Sequence, residues 1–194
     1  MKKSHSLIKR AAWLLLPLCM SVAYTAQAGI DMYLEFLSSN SGDTIQGDSQ
    51  DTNHKDQIDV LRFSEGMINT FAGDYRYQGG SGGKTNRNAL AVTKYLDRSS
   101  PALRMALVEG RLLDDAILRV ARPTSPDPQP DYFVIELKNV IVTKVSMSAS
   151  DGDDRLTEEV ELTFEKITWT YRNSSMDPEI KAGWDFTQNK EYLN

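Results

Sequence analysis

Apolar residues in this chain recur mainly at every second position, between polar stretches rich in Ser, Asp, Asn and Gly. A period of two marks strands with one buried face. The short apolar run Met32 to Leu37 predicts the first strand. Residues 38–57 are polar and read as a loop. β character returns from Ile58 to Ile68. Residues 72–88 predict a second loop centred on Gly79-Gly80-Ser81-Gly82-Gly83, and Ala89 to Leu96 a strand. Farther on, Ile117, Leu118 and Val120 mark a strand, and Pro123, Pro126, Pro128 and Pro130 enforce an extended loop. Phe133, Ile135 and Leu137 alternate, and Val140, Val142 and Val145 continue, with Asn139 as a bulge position. Val160, Leu162 and Phe164 alternate cleanly. Ile167, Trp169 and Tyr171 resume one residue out of phase, which predicts a bulge near Glu165 and Lys166. On this spacing Trp169 and Tyr171 read as core.

One helix breaks the pattern. Ser99 or Ser100 can cap it, Pro101 suits its first turn, and Gly110 suits its end. Leu103, Ala106 and Leu107 have the spacing of one buried face. The expected architecture is mainly β: seven or eight strands in an antiparallel barrel or two packed sheets, with one short helix at the side.

The first 28 residues follow other rules. Lys2, Lys3, Lys9 and Arg10 precede an apolar stretch from Ala11 to about Tyr24, and Ala26-Gln27-Ala28 follows. Charge, apolar run and small residues in this order predict a secretory signal peptide over residues 1–28 and a single domain over 29–194. The run is too short to anchor the chain stably in a bilayer. Without the leader, 18 of the 22 basic residues remain against 27 acidic ones, a net charge of −9. Such a chain has no basic stripe for phosphates, so nucleic acid is an unsuitable partner. The leader also holds Cys19, the only cysteine, which leaves residues 29–194 without thiol or disulfide chemistry.

Catalytic chemistry is sparse. His54 is the only histidine beyond the leader, in a loop with Asp48, Asp51, Asp56 and Asp59. A hydrolytic or metal site could use these residue types, but the composition reads as a solvated turn. Asp151, Asp153 and Asp154 read as a turn, since their spacing lacks the alternating ligands of a calcium loop. The glycine run before Lys84-Thr85 lacks the spacing of a phosphate loop. No catalytic residue, metal or cofactor is expected.

Several segments resemble the haemolysin-coregulated protein (Hcp) family in order and spacing. They are Gln46-Gly47-Asp48-Ser49-Gln50-Asp51 with His54 and Lys55; Ile58-Asp59-Val60-Leu61; Phe63-Ser64-Glu65-Gly66; Thr93-Lys94-Tyr95-Leu96-Asp97-Arg98-Ser99-Ser100-Pro101; Asp154-Arg155-Leu156-Thr157-Glu158; and Gly183-Trp184-Asp185. Glu65 stands where an aromatic is usual in the family. The resemblance implies a tube subunit of a type VI secretion system, a homo-hexamer whose rings stack. Its implied partners are a spike protein, a sheath and small effectors held in the lumen. It implies that Ser64, Glu65 and Ser150 face that lumen. It also implies that the loop with Asp74, Tyr75, Tyr77, Gly79, Gly80, Gly82 and Gly83 reaches a neighbouring ring. Such a protein is itself secreted; the leader adds the periplasm as a possible location, because tube subunits usually lack one. The alternative is a periplasmic or secreted β-sandwich that binds a carbohydrate or surface partner.

Overall fold

The computed structural model describes residues 29–38, 45–70, 84–121, 131–152, 154–173 and 178–193. The expected leader, the proline-rich loop and residues 71–83, with all seven expected ring-stacking positions from Asp74 to Gly83, lie outside them.

The described strands are β1 (Asp31–Leu37), β2 (Ile58–Ser64), β3 (Met67–Thr70), β4 (Lys84–Arg87), β5 (Leu90–Tyr95), β6 (Leu112–Ala121), β7 (Phe133–Ser148), β8 (Thr157–Thr163), β9 (Lys166–Tyr171), β10 (Ile180–Asp185) and β11 (Lys190–Glu191). The helix α1 (Ser99–Glu109) joins β5 to β6. Six strands close an antiparallel barrel in the order β1-β2-β5-β8-β7-β6, with β6 returning to β1. Closure leaves no free edge among these six.

The 16-residue strand β7 makes closure and extension possible together. Its second half, from Ile141 to Ser148, pairs with β8 and shuts the barrel. Its first half, from Phe133 to Lys138, pairs with β9, which carries β10 and β11 outside the barrel as a flap. The chain passes from β8 to β9 through Phe164 and Glu165, where the bulge is expected. Burial then fades along one face of β9, from 0% exposure at Ile167 to 39% at Tyr171. Trp169 is half-buried against the core. Tyr171 is therefore not core, because this strand runs away from the barrel. Asn139 adopts a positive φ of 54° without shifting the pairing, and the register slip falls between Val142 and Lys144.

The core fills from alternate positions: Leu34 and Phe36, Ile58 and Val60, Leu90 and Val92, Leu118, Ile135 and Leu137, Val160 and Leu162. Leu103 and Ala106 of α1 join it, as their spacing predicts. The helix does not begin at a serine cap. Ser99 and Ser100 lie in its first turn and are buried, while Asp97 accepts the Ser99 N–H at 2.9 Å. Gly110 ends it in the left-handed conformation at φ 60°, and Arg111 N–H donates back to the Ala106 carbonyl at 2.9 Å.

Candidate functional site

The barrel wall formed by β2, β5, β8 and the second half of β7 presents an unusually plain outer surface. Ladder partners share a face, so rows can be followed across it. Ser64, Ala91, Glu161 and Lys144 form one row. Arg62, Thr93, Glu159 and Ser146 form the next. Tyr95, Thr157 and Ser148 form a third. The rows hold small, hydroxyl and charged side chains, because the inward positions between them carry the core. Lys144 donates to Glu159 at 2.6 Å and Glu161 at 2.9 Å, and these two bonds hold its ammonium well above the ordinary lysine range.

Ser64 and Ser150 are both exposed, but the structure does not bring them together. Ser64 ends β2, and Ser150 lies past the far end of β7, three strands across and six residues beyond the Ser64 row. Strand spacing and rise make that about 20 Å or more. Glu65 leaves β2 at the corner before Gly66. Burial raises its carboxyl above the ordinary value, and no described group donates to its buried Oε1.

The fold also holds two buried polar clusters, one behind this wall and one on the β1 and β6 side of the barrel. In the first, Lys94 is fully buried and its Nζ donates to Asp97 at 2.7 Å, Glu158 at 2.8 Å, Ser100 at 3.2 Å and the Tyr95 carbonyl at 2.8 Å. Ser100 donates to Glu158 Oε1 at 2.5 Å, and the Arg104 guanidinium lies 2.8 Å from Oε2 as an ion pair. Burial pushes the Glu158 carboxyl upward, but the bonds from Lys94 and Ser100 and the charges of Lys94 and Arg104 outweigh it and hold it below its usual value. The cluster bolts α1 to β5 and β8. Lys94, Asp97, Ser100 and Glu158 all fall in segments quoted above for the family resemblance, yet their mutual contact was invisible in the sequence. The only available signal was a lysine at an inward position of an alternating strand.

The second cluster surrounds His54, which is buried rather than part of a solvated turn. Its ring stacks on Tyr33 at 4.0 Å and 3°. Nδ1 lies 2.9 Å from Asp51 and Nε2 3.0 Å from Asp131. Burial works to raise Asp51, but the His54 bond and the backbone N–H groups of Asn53 and His54 bring it below the usual range. With both ring nitrogens engaged, the imidazole has no free position to activate a nucleophile. Among the described residues, no group of three His, Cys, Asp or Glu side chains is placed to hold a metal ion.

A groove of about 430 Å³ lies where the β3–β4 ribbon faces the flap. Met67, Trp169, Ala182, Trp184 and Phe186 give it an apolar lining, with Glu191 at its polar side. The start of β3 falls within the β stretch expected up to Ile68, but β4, β10 and β11 lie where no strand is expected. Lys84-Thr85-Asn86-Arg87 has no apolar alternation, and Gly183 in β10 weakens a strand signal.

Residues 33–171 match the family described as "Type VI secretion system effector, Hcp". The chain is 37% identical over 165 residues to Protein hcp1 of Pseudomonas aeruginosa, covering 82% of this chain and 97% of that protein. It is 27% identical over 164 residues to the Major exported protein of the same organism, covering 81% and 90%. The crystal structure of Hcp1 from Salmonella typhimurium superposes with a TM-score of 0.66 at 31% identity, covering 84% of this chain and 99% of that one. A family match over most of the chain, a relative of this identity and the same closed barrel agree: the chain belongs to the Hcp family of type VI secretion proteins.

Proposed function

We propose that this chain is the structural tube subunit of a type VI secretion system, six copies closing a ring and the rings stacking into a tube. The near-complete overlap with Protein hcp1 carries this reading. A ring requires a head-to-tail interface between two different surfaces of each copy. The barrel suits such a role, since its six strands leave no edge to pair indefinitely. Exposed apolar side chains at Met105 and Val108 on α1, and at the paired Leu112 and Ile141, offer surface for subunit contacts. In this reading the wall of Ser64, Thr93 and Ser146 lines the channel, and small effectors rest against it. Its short polar side chains suit transient contact with varied cargo. Glu65 and Ser150 sit at its margins, the loop positions from Asp74 to Gly83 are assigned to contact with the next ring, and spike and sheath proteins are the outer partners. The chain does no catalysis.

The protein itself leaves the cell, as the name of the Major exported protein says of that relative. Residues 1–28 act as a leader cleaved after Ala28. Mass spectrometry of the native N-terminus tests this, and an intact Met1 in the exported protein would refute it. Electron microscopy of the purified protein tests the assembly. Rings with a central hole are expected, and featureless single particles would overturn the reading. The apolar groove favours a second reading, a secreted module that binds a partner through Trp169 and Trp184. Retained ligand binding by a purely monomeric protein would support that reading instead.

A further inference from the structure

We propose that His54 is held as an imidazolium and acts as a protonation-dependent latch, fastening the loop of residues 45–57 to the barrel. The proposal does not depend on the ring.

The loop is an ordered structure closed on itself. Gly47 N–H donates to Asp56 at 2.8 Å, Ser49 N–H to Gln57 at 3.0 Å, and Asp56 N–H to Ser49 at 3.1 Å. Ile45 is buried in the core and Gln57 donates to Glu35, and two further polar attachments tie the loop to the rest of the molecule. At one, Arg98 before α1 reaches the Gly47 carbonyl and the carboxylates of Asp48 and Asp56. At the other stands His54, facing three elements at once. Asp51 belongs to its own loop, Asp131 precedes β7, and Tyr33 lies in β1.

A neutral imidazole has one N–H and one lone pair. Between two carboxylates it could satisfy only one, and the other would face a bare nitrogen. Asp51 Oδ1 already accepts backbone N–H groups from Asn53 at 2.8 Å and His54 at 3.0 Å, which fixes it as an acceptor. Asp131 has Arg119 3.5 Å from its other oxygen, and Arg119 in turn holds Glu35 at 2.6 Å. Both carboxylates are thus set as anions, and only the imidazolium donates to both. A cation stacked on the face of Tyr33 is favoured further. Burial, followed by the charges of Asp51, Asp31, Asp59 and Asp131, pushes the Tyr33 hydroxyl up to about 12, so the phenol stays neutral beneath the ring.

The sign of the device follows. The latch is complete while the ring carries its second proton and fails as rising pH removes it. Asp51 works in the opposite direction, since its depressed carboxyl stabilises the fold above the ordinary carboxylate range and stops doing so in acid. The loop is therefore fastened best between these limits.

Long-range proton–nitrogen NMR on the full chain tests the latch. His5 is the only other histidine, and His54→Gln assigns the signals. Two protonated ring nitrogens at neutral pH are expected, with one proton signal lost as pH rises. The excess thermal midpoint of the wild type over His54→Gln should shrink over the same rise. Asp131→Asn, which keeps the shape, should move the ring's titration to lower pH. One protonated and one bare nitrogen at neutral pH would overturn the proposal. So would a titration that Asp131→Asn leaves unmoved. The wild-type spectrum decides the matter if His54→Gln fails to fold.

Discussion

The two buried polar clusters answer the same problem differently. The Lys94 cluster places permanent charges around a lysine with no exposure and satisfies it with four acceptors. The His54 cluster places a titratable ring between two carboxylates. The first joins a helix to the barrel wall and holds across the neutral range. The second joins a loop to the barrel and depends on a proton. The contrast teaches that both of these buried charged clusters are attachment points between elements, and that the choice of side chain decides whether an attachment responds to pH.

Mutation can break the comparison at its strongest point. Lys94→Met leaves Glu158 and Asp97 without their shared cation. Loss of one partner from a buried ionic cluster costs about 3–5 kcal/mol, to be read from denaturant unfolding. Adding Glu158→Leu should restore part of that loss, and a double variant no better than the single would contradict the account. Gly47→Ala comes next. An added Cβ would lie 2.3 Å from the Gln57 carbonyl and 2.4 Å from Ile58 Cα, so backbone must shift. Overpacking of this kind costs about 1–3 kcal/mol. It should loosen the His54 loop while leaving the Lys94 cluster in place, seen as faster amide exchange confined to residues 45–57.

Acid provides a milder probe. The folded value of Glu158 lies below its unfolded value, so its contribution is present above the ordinary glutamate value near ~4.3 and is lost as pH falls through the depressed one. Wild type should therefore lose stability more steeply in acid than Glu158→Gln, as measured by thermal midpoints across that range. Lys144→Ala should have the smallest effect. Its two carboxylate partners stand on the open wall in water, and surface pairs of this kind contribute little. An unchanged midpoint is expected, and a marked drop would show that the wall is not a solvated surface.

Much of the barrel was legible because its strands alternate. The run from Val160 to Phe164 and the slip before Ile167 gave β8, the break and β9 directly. The helix was legible from Leu103, Ala106 and Gly110. The β3–β4 ribbon was not, because Lys84 to Arg87 is wholly polar and becomes a strand only by pairing with Met67 to Thr70. The flap was missed because Gly183 hides β10, yet the glycine is required there: a Cβ would meet the Tyr192 carbonyl at 2.2 Å. The burial of His54 is illegible in the sequence for a related reason. Local composition signalled solvent, whereas its burial comes from Tyr33 and Asp131, 21 and 77 positions away along the chain. The family resemblance found the segments that hold both clusters, but no spacing rule revealed which side chains meet.

Native mass spectrometry of the purified protein is the most direct test of the ring. A dominant species of six chains, stable on dilution to micromolar concentration, is the predicted result. A spectrum confined to single chains and pairs would contradict the assigned role.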